Sequence, residues 1–318
     1  RPLETRQQAE SLGPSQMDTL MTKMTSLEFK SADGLTLRAD AWGDKNAQPV
    51  LLLHGGGQTR HAWAGTGERL AQAGWYAVSL DLRGHGESEW CPNGNYDHMD
   101  FAADTSCVAQ SFSHKPILVG ASLGGLSSLL ALGTAHEDGS EPPAEGLVLV
   151  DIAPRMELAG AQRVLNFMRS APNGFASLED AAEAIAQYNP HRPRPKDLEG
   201  LRKNLRERED GRYHWHWDPA FIHGRLESGS LSHWDRLERA AQSLSLPTLL
   251  VRGRMSDLIT EEGAREFLDQ VPHAHYVDVS GAGHMVAGDR NDKFTHAVTD
   301  FLQTECRWHT DSANPPAG

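Results

Sequence analysis

Ile117-Leu118-Val119-Gly120-Ala121-Ser122-Leu123-Gly124-Gly125 is the stretch from which the fold is read. An apolar run too short for a helix enters a Gly-x-Ser-x-Gly turn, and helix-compatible sequence follows from Leu123. A strand that becomes a helix at a serine puts that residue on a tight bend. The hydroxyl then projects away from the backbone, and small neighbours avoid clashes in the strained turn. The next amide, that of Leu123, lies at a helix N-terminus, where an oxyanion is stabilised. Ser122 is thus the candidate nucleophile.

Working outward, Pro49–Leu53 is another short apolar run, followed after His54 by Gly55, Gly56 and Gly57. Similar runs recur at residues 76–80, 116–119, 146–150, 247–251 and 274–279. Such runs read as strands buried on both faces. Helical patterns at 67–73, 123–135 and 261–270 separate several of them, which predicts βαβ units and a mostly parallel α/β sheet with helices on both faces. Upstream, 26–30 and 35–41 alternate around Ala32-Asp33-Gly34 and predict a hairpin. The alternation stops between residues 155 and 236. That segment carries amphipathic stretches (158–170, 177–188, 197–208) and an aromatic one (213–221), and it reads as a mostly helical insertion. The expected organisation is a tail (1–24), a first core part (25–154), a helical cap (155–236), a second core part (237–303) and a C-terminal tail (304–318).

A nucleophilic serine needs a base, and the base needs an orienting acid. Position must choose among 16 histidines. His284 follows the last strand in Ser280-Gly281-Ala282-Gly283-His284, a loop pliant enough to bring an imidazole over the sheet's C-terminal edge. Asp257 follows the 247–251 strand, again at a C-terminal end, where parallel α/β sheets place their sites. The order is nucleophile, acid, base. The competing role for Asp257 is to cap the helix beginning near Glu261.

Together these motifs resemble the α/β-hydrolase superfamily, and within it the small capped serine esterases. Leu53-His54-Gly55-Gly56-Gly57 matches the segment that supplies the other half of the superfamily's oxyanion hole. The resemblance implies that the backbone N–H of Gly56, with Gly55 as the alternative, joins that of Leu123. Asp81-Leu82-Arg83-Gly84-His85-Gly86-Glu87-Ser88 matches another frequent segment, expected to shape a turn beneath the site. Val150-Asp151-Ile152-Ala153-Pro154 resembles a core-to-cap junction, and the likeness spans residues 25–303. Some branches carry the acid at the position of Asp151; the later position, Asp257, is commoner and ranks first. Epoxide hydrolases and haloalkane dehalogenases place an aspartate where Ser122 stands, so those reactions are disfavoured. The implied activity is carboxylic ester hydrolysis through an acyl-enzyme, with thioesters and lactones as near relatives and no metal or organic cofactor. Other uses of the triad (carbon–carbon hydrolysis, perhydrolysis, cofactor-free oxygenation) and a ligand-binding receptor remain alternatives.

His61 and Trp63, two steps apart after the glycines, are candidates to border the substrate entrance, with packing under the cap as the equal alternative. Trp215, Trp217 and Phe221 are candidates to line an acyl pocket or else to face the core, and Leu165, Phe167 and Met168 are expected with them to cover the substrate cleft. His214 and His216 alternate as metal ligands on a strand would, but no third ligand stands at recognisable spacing. The chain's 30 basic and 43 acidic residues give a net charge of −13. That argues against nucleic acid as a partner. No run nears the roughly 18 apolar residues of a membrane span, and the N-terminus lacks a signal-peptide pattern. Cys91, Cys107 and Cys306 are far apart and odd in number, as in a reducing compartment. The expectation is a cytoplasmic protein that meets a small-molecule ester, without nucleic-acid or membrane partners, its oligomeric state open. Met17, Met21 and Met24 are each candidate native starts.

Overall fold

Alternate residues of β3 (Pro49–Leu53) enter two separate hydrophobic cores, Leu51 and Leu53 on one side and Val50 and Leu52 on the other. A strand's side chains alternate between faces, so a strand apolar at every position must be covered on both. In a computed structural model of the chain, which describes residues 23–188, 198–227, 234–253, 256–279 and 292–307, this pattern extends across the molecule. The strands β1 (Thr25–Lys30), β2 (Thr36–Trp42), β4 (Tyr76–Leu80), β5 (Ile117–Ala121), β6 (Gly146–Val150), β9 (Thr248–Gly253) and β10 (His275–Val279) join β3 in an eight-stranded sheet. Its order is β1-β2-β4-β3-β5-β6-β9-β10. The first two pairings, β1 with β2 and β2 with β4, are antiparallel, and the rest are parallel. The expected hairpin is present, turned at Gly34 with φ +92°.

Helices α1 (Ala64–Gln72) and α9 (Asp292–Phe301) cover one face, burying Leu70, Ala71, Phe294 and Val298. The opposite face carries α2 (His98–Gln110), α3 (Leu123–Glu137), α7 (Trp234–Gln242) and α8 (Glu261–Gln270), burying Phe101, Leu129, Leu237 and Phe267. Between β6 and β9 lie α4 (Leu158–Met168), α5 (Leu178–Tyr188), a 3-10 turn (Glu199–Asn204), β7 (Leu205–Glu207), β8 (Tyr213–Trp215) and α6 (Pro219–Glu227). Residues 197–208 read as one amphipathic stretch, yet the chain leaves the turn at Asn204 and pairs β7 antiparallel to β8. Leu198, Leu201 and Leu205 fit helical spacing, but Leu205 is held opposite Trp215, both buried. Cross-strand packing of an indole on leucine overrides the local pattern. Among the described residues no helix is long and apolar enough to cross a membrane.

Candidate active site

Ser122 sits between β5 and α3 with φ +48° and ψ −114°, a left-sided backbone that a non-glycine residue adopts only under constraint. The constraint is visible. Its N–H donates to the Val150 carbonyl at 3.2 Å, and its carbonyl accepts from the Leu126 N–H at 2.9 Å. Close packing adds to this: a Cβ on Gly124 would lie 2.3 Å from the Leu53 carbonyl oxygen, so only glycine fits there. The Gly124 N–H donates to the His54 carbonyl at 3.1 Å, tying the serine turn to the glycine loop after β3.

That loop is itself pinned. The Leu82 N–H donates to His54 Nε2 at 3.0 Å, so the ring proton is on Nδ1, which donates to the Gly55 carbonyl at 2.7 Å. Complete burial pushes the His54 pKa down to about 3, and the ring is neutral. The Gln58 N–H also donates to the Gly55 carbonyl, at 3.0 Å. A trans peptide directs its N–H opposite its C=O, so fixing the Gly55 carbonyl fixes the Gly56 N–H. Gly56, Ser122 and Leu123 share the wall of one cavity of about 130 Å³. Its remaining walls are largely apolar: Leu126 from α3, Met156, Val164, Leu165 and Met168 from the region of α4, Phe221 from α6, and Leu258. The strained serine and the amides of Gly56 and Leu123 thus border the same small, mostly apolar space.

The sequence pointed neither to Tyr96, Asp97 and His98 nor to Ala161 and Val164 of α4, whereas Leu165 and Met168 are among the residues expected to cover the cleft. A signal did exist for the first group. Asp97 and Asp100 form a capping box, Asp97 accepting from Met99 N–H and Asp100 from Asp97 N–H, and that pattern announces α2.

Both acid candidates stand at strand ends, in contrasting surroundings. Asp151, wholly buried with φ +54°, follows β6 as Ser122 follows the adjacent β5. Its carboxylate accepts from the Gly253 N–H at 3.2 Å and the Ser256 hydroxyl at 2.7 Å. Asp257, 39% exposed in its side chain, pairs with Arg163 of α4 at 2.8 Å. The α4 helix abuts this loop, since a Cβ on Gly160 would lie 2.1 Å from the Asp257 carbonyl oxygen. His284 lies outside the described residues.

The lining candidates divide. Phe221 borders the Ser122 cavity and stands edge-on to His85 at 4.8 Å between ring centres. Gly55 is beside the serine; a Cβ there would be 3.3 Å from that of Ser122. His61, Trp215 and Trp217 instead line a second cavity of about 410 Å³. The two indoles stack on each other at 4.9 Å. Burial, then the Arg60 charge, lowers the pKa of His61. Trp63 borders neither cavity: it is fully buried in the core beneath α1 and α9, with its ring 5.9 Å from that of Phe294. Residues 60–63 form a 3-10 turn, in which positions two apart point about 120° away from each other. His214 and His216 go to different partners, His214 to Asp210 at 3.4 Å and His216 to the backbone of Gly57 and Gly86.

The segment matched by resemblance after β4 is a braced turn. Arg83 forks onto Asp104 with both contacts at 2.6 Å, and Arg60 bridges Asp81 at 2.5 Å and contacts Glu87. All but Glu87 are buried.

With the sheet order and the serine turn in place, comparison with known proteins gives the class. A profile of the α/β-hydrolase fold matches residues 48–290, and the chain belongs to that family. Among its relatives is the esterase Rv0045c of Mycobacterium tuberculosis, 29% identical over 284 residues, with 87% of this chain and 90% of that protein covered. A solved structure of the same esterase has a TM-score of 0.69 at 26% identity, covering 95% of this chain and 97% of that one. The 3-hydroxybutyrate-oligomer hydrolase of Cupriavidus necator is 25% identical over 259 residues, covering 76% of this chain and 85% of that protein. These relatives support a hydrolase, and ester hydrolysis as its chemistry.

Proposed function

We propose that the protein is a serine esterase cleaving carboxylic esters of compact, apolar acyl groups, with thioesters and lactones as chemical neighbours. The observation that carries this is the strained Ser122 turn on the wall of an apolar cavity, beside a glycine loop whose amide direction is fixed. Ser122 Oγ attacks the ester carbonyl, and His284 takes its proton and passes it to the leaving alcohol. The N–H groups of Gly56 and Leu123 hold the oxyanion. Water, activated by the same imidazole, then releases the acid. Asp257 orients His284. The buried Asp151 supports a second assignment of the acid, because it lies beside Ser122 across neighbouring strand ends. No step calls for a metal or organic cofactor. Residues 155–236 act as a cap: Val164, Leu165, Met168 and Phe221 from that segment face the serine cavity, which supports a lid role. The unpaired Cys91, Cys107 and Cys306 support a reducing, cytoplasmic setting.

A fluorophosphonate probe should label the chain once, and Ser122→Ala should abolish the label and lower kcat on a p-nitrophenyl ester by about 10⁴–10⁶. Unchanged turnover by the alanine variant would remove the serine mechanism.

A further inference from the structure

His216 lies in the segment between β6 and β9, far in sequence from every candidate catalytic residue, yet its ring reaches the glycine loop. The Gly86 N–H donates to Nδ1 at 2.7 Å, so Nδ1 is bare and the ring proton is on Nε2. Nε2 donates to the Gly57 carbonyl at 3.1 Å. The residue's own backbone is held as well, its N–H by the Asn204 carbonyl at 3.2 Å and its carbonyl by Trp90 Nε1 at 3.3 Å. The side chain is 1% exposed, and its ring stands edge-on to Trp217 at 5.1 Å.

Gly57 has φ +80°, and a Cβ there would sit 3.2 Å from Met168 and 3.4 Å from Trp217. His54 therefore fixes one end of the Gly55-Gly56-Gly57 run and His216 the other, with the Gly56 amide between them. Burial pushes the pKa of His216 down to about 3, so its donor and acceptor nitrogens keep their roles across the working pH range.

We propose that His216 is a positioning residue: by holding the Gly57 carbonyl it sets the oxyanion loop, and it makes the geometry of that loop depend on how the inserted segment is seated. This rests on the esterase role of Ser122. The effect acts on transition-state charge and not on substrate affinity, because His216 lines neither cavity.

The test uses the full chain with His216→Gln, His216→Asn and His216→Leu, assayed for kcat and KM on p-nitrophenyl butyrate beside wild type and Ser122→Ala. Leucine should lower kcat by about 10–100-fold, somewhat less than outright loss of an oxyanion donor, with KM within about threefold. Glutamine places an amide N–H near the position of Nε2 and should recover most of the loss. Asparagine mimics only the Nδ1 acceptor and should stay close to leucine. Equal activity of all three variants and wild type, or a change confined to KM, overturns the proposal. Should leucine fail to fold, ¹⁵N-histidine NMR of wild type decides, with the His216 signal assigned by its loss in His216→Gln. A bare Nδ1 and protonated Nε2 from pH 5 to pH 8 is expected, and the opposite tautomer or a titration near the free value overturns it. Wild type that neither hydrolyses esters nor takes the probe at Ser122 would refute the esterase function itself, while the NMR result still reports on the His216 tether.

Discussion

The two cavities on either side of Gly57 differ in size and in chemistry. The one holding Ser122 is about 130 Å³ and walled mainly by leucine, valine, methionine and phenylalanine. Its neighbour is about 410 Å³, walled by the stacked pairs Phe167–Tyr188 and Trp215–Trp217, with Gln58, His61, Lys203 and Asn204 at its edges. Gly57, Met168 and Trp217 meet between them. The proposed nucleophile and the larger space are therefore separated: Ser122 borders a small apolar space, and the larger, partly polar one lies past Gly57, Met168 and Trp217.

The largest effect that can break this division concerns the acid serving the serine side. If Asp257 orients His284, Asp257→Asn should lower kcat by about 10⁴ with the fold retained, and Asp151→Asn should cost far less. A steady-state comparison of the two variants decides, and the reverse ranking assigns the acid to Asp151. Next comes the wall itself, held by two neutral imidazoles. His54 and His216 have pKa values near 3 in the folded chain, against about 6.5 when unfolded. Between those limits the unfolded chain binds more protons. Stability is thus fully present above about pH 6.5 and lost as pH falls towards 3, by up to about 1.4 kcal/mol per pH unit for each ring. Urea melts at pH 7, 6 and 5 should show that decline, and His216→Gln should make it shallower. A flat profile would mean that these rings are not buried as neutral groups. The smallest effect separates the cavities by substrate. Phe221→Ala should shift the kcat/KM optimum towards longer acyl chains, with up to about 0.8 kcal/mol, or fourfold, per added methylene. Trp215→Ala should leave that acyl profile in place and change selectivity for the alcohol portion instead. If Trp215→Ala shifts the acyl optimum and Phe221→Ala does not, the roles of the two cavities are exchanged.

The sheet was legible because its strands carry the signal locally. Val50 to Leu53 and Leu147 to Val150 are apolar at every position, and that demands two covered faces. The sharp turn at Ser122 was legible for the same reason, its strand, turn and helix being contiguous. The cavity walls were legible only in part. Ala161 and Val164 are ordinary apolar residues on an amphipathic helix, and only the three-dimensional seating of α4 shows that they line the Ser122 cavity. His61 and Trp63 part company because a 3-10 turn repeats every three residues, whereas a strand repeats every two. His216 shows the deepest limit: its partners Gly57 and Gly86 lie 159 and 130 residues away, and both contacts are to backbone, which leaves no side-chain pattern to find.

Ser122 and Asp151 both hold positive φ at neighbouring strand ends, at +48° and +54°. Each such residue carries about 1–3 kcal/mol of conformational strain. Alanine at 122 retains the Cβ that causes it, whereas glycine removes it and adds about 0.5–1 kcal/mol of chain entropy to the unfolded state. Ser122→Gly should then be the more heat-resistant protein by about 1 kcal/mol, a rise of roughly 1–2 °C in Tm for a chain of this size. Resistance to heating and the proposed reactivity are set against each other at a single residue. A heat-challenge screen scored on folded protein alone would enrich chains that have lost the proposed nucleophile, so any such screen has to score turnover.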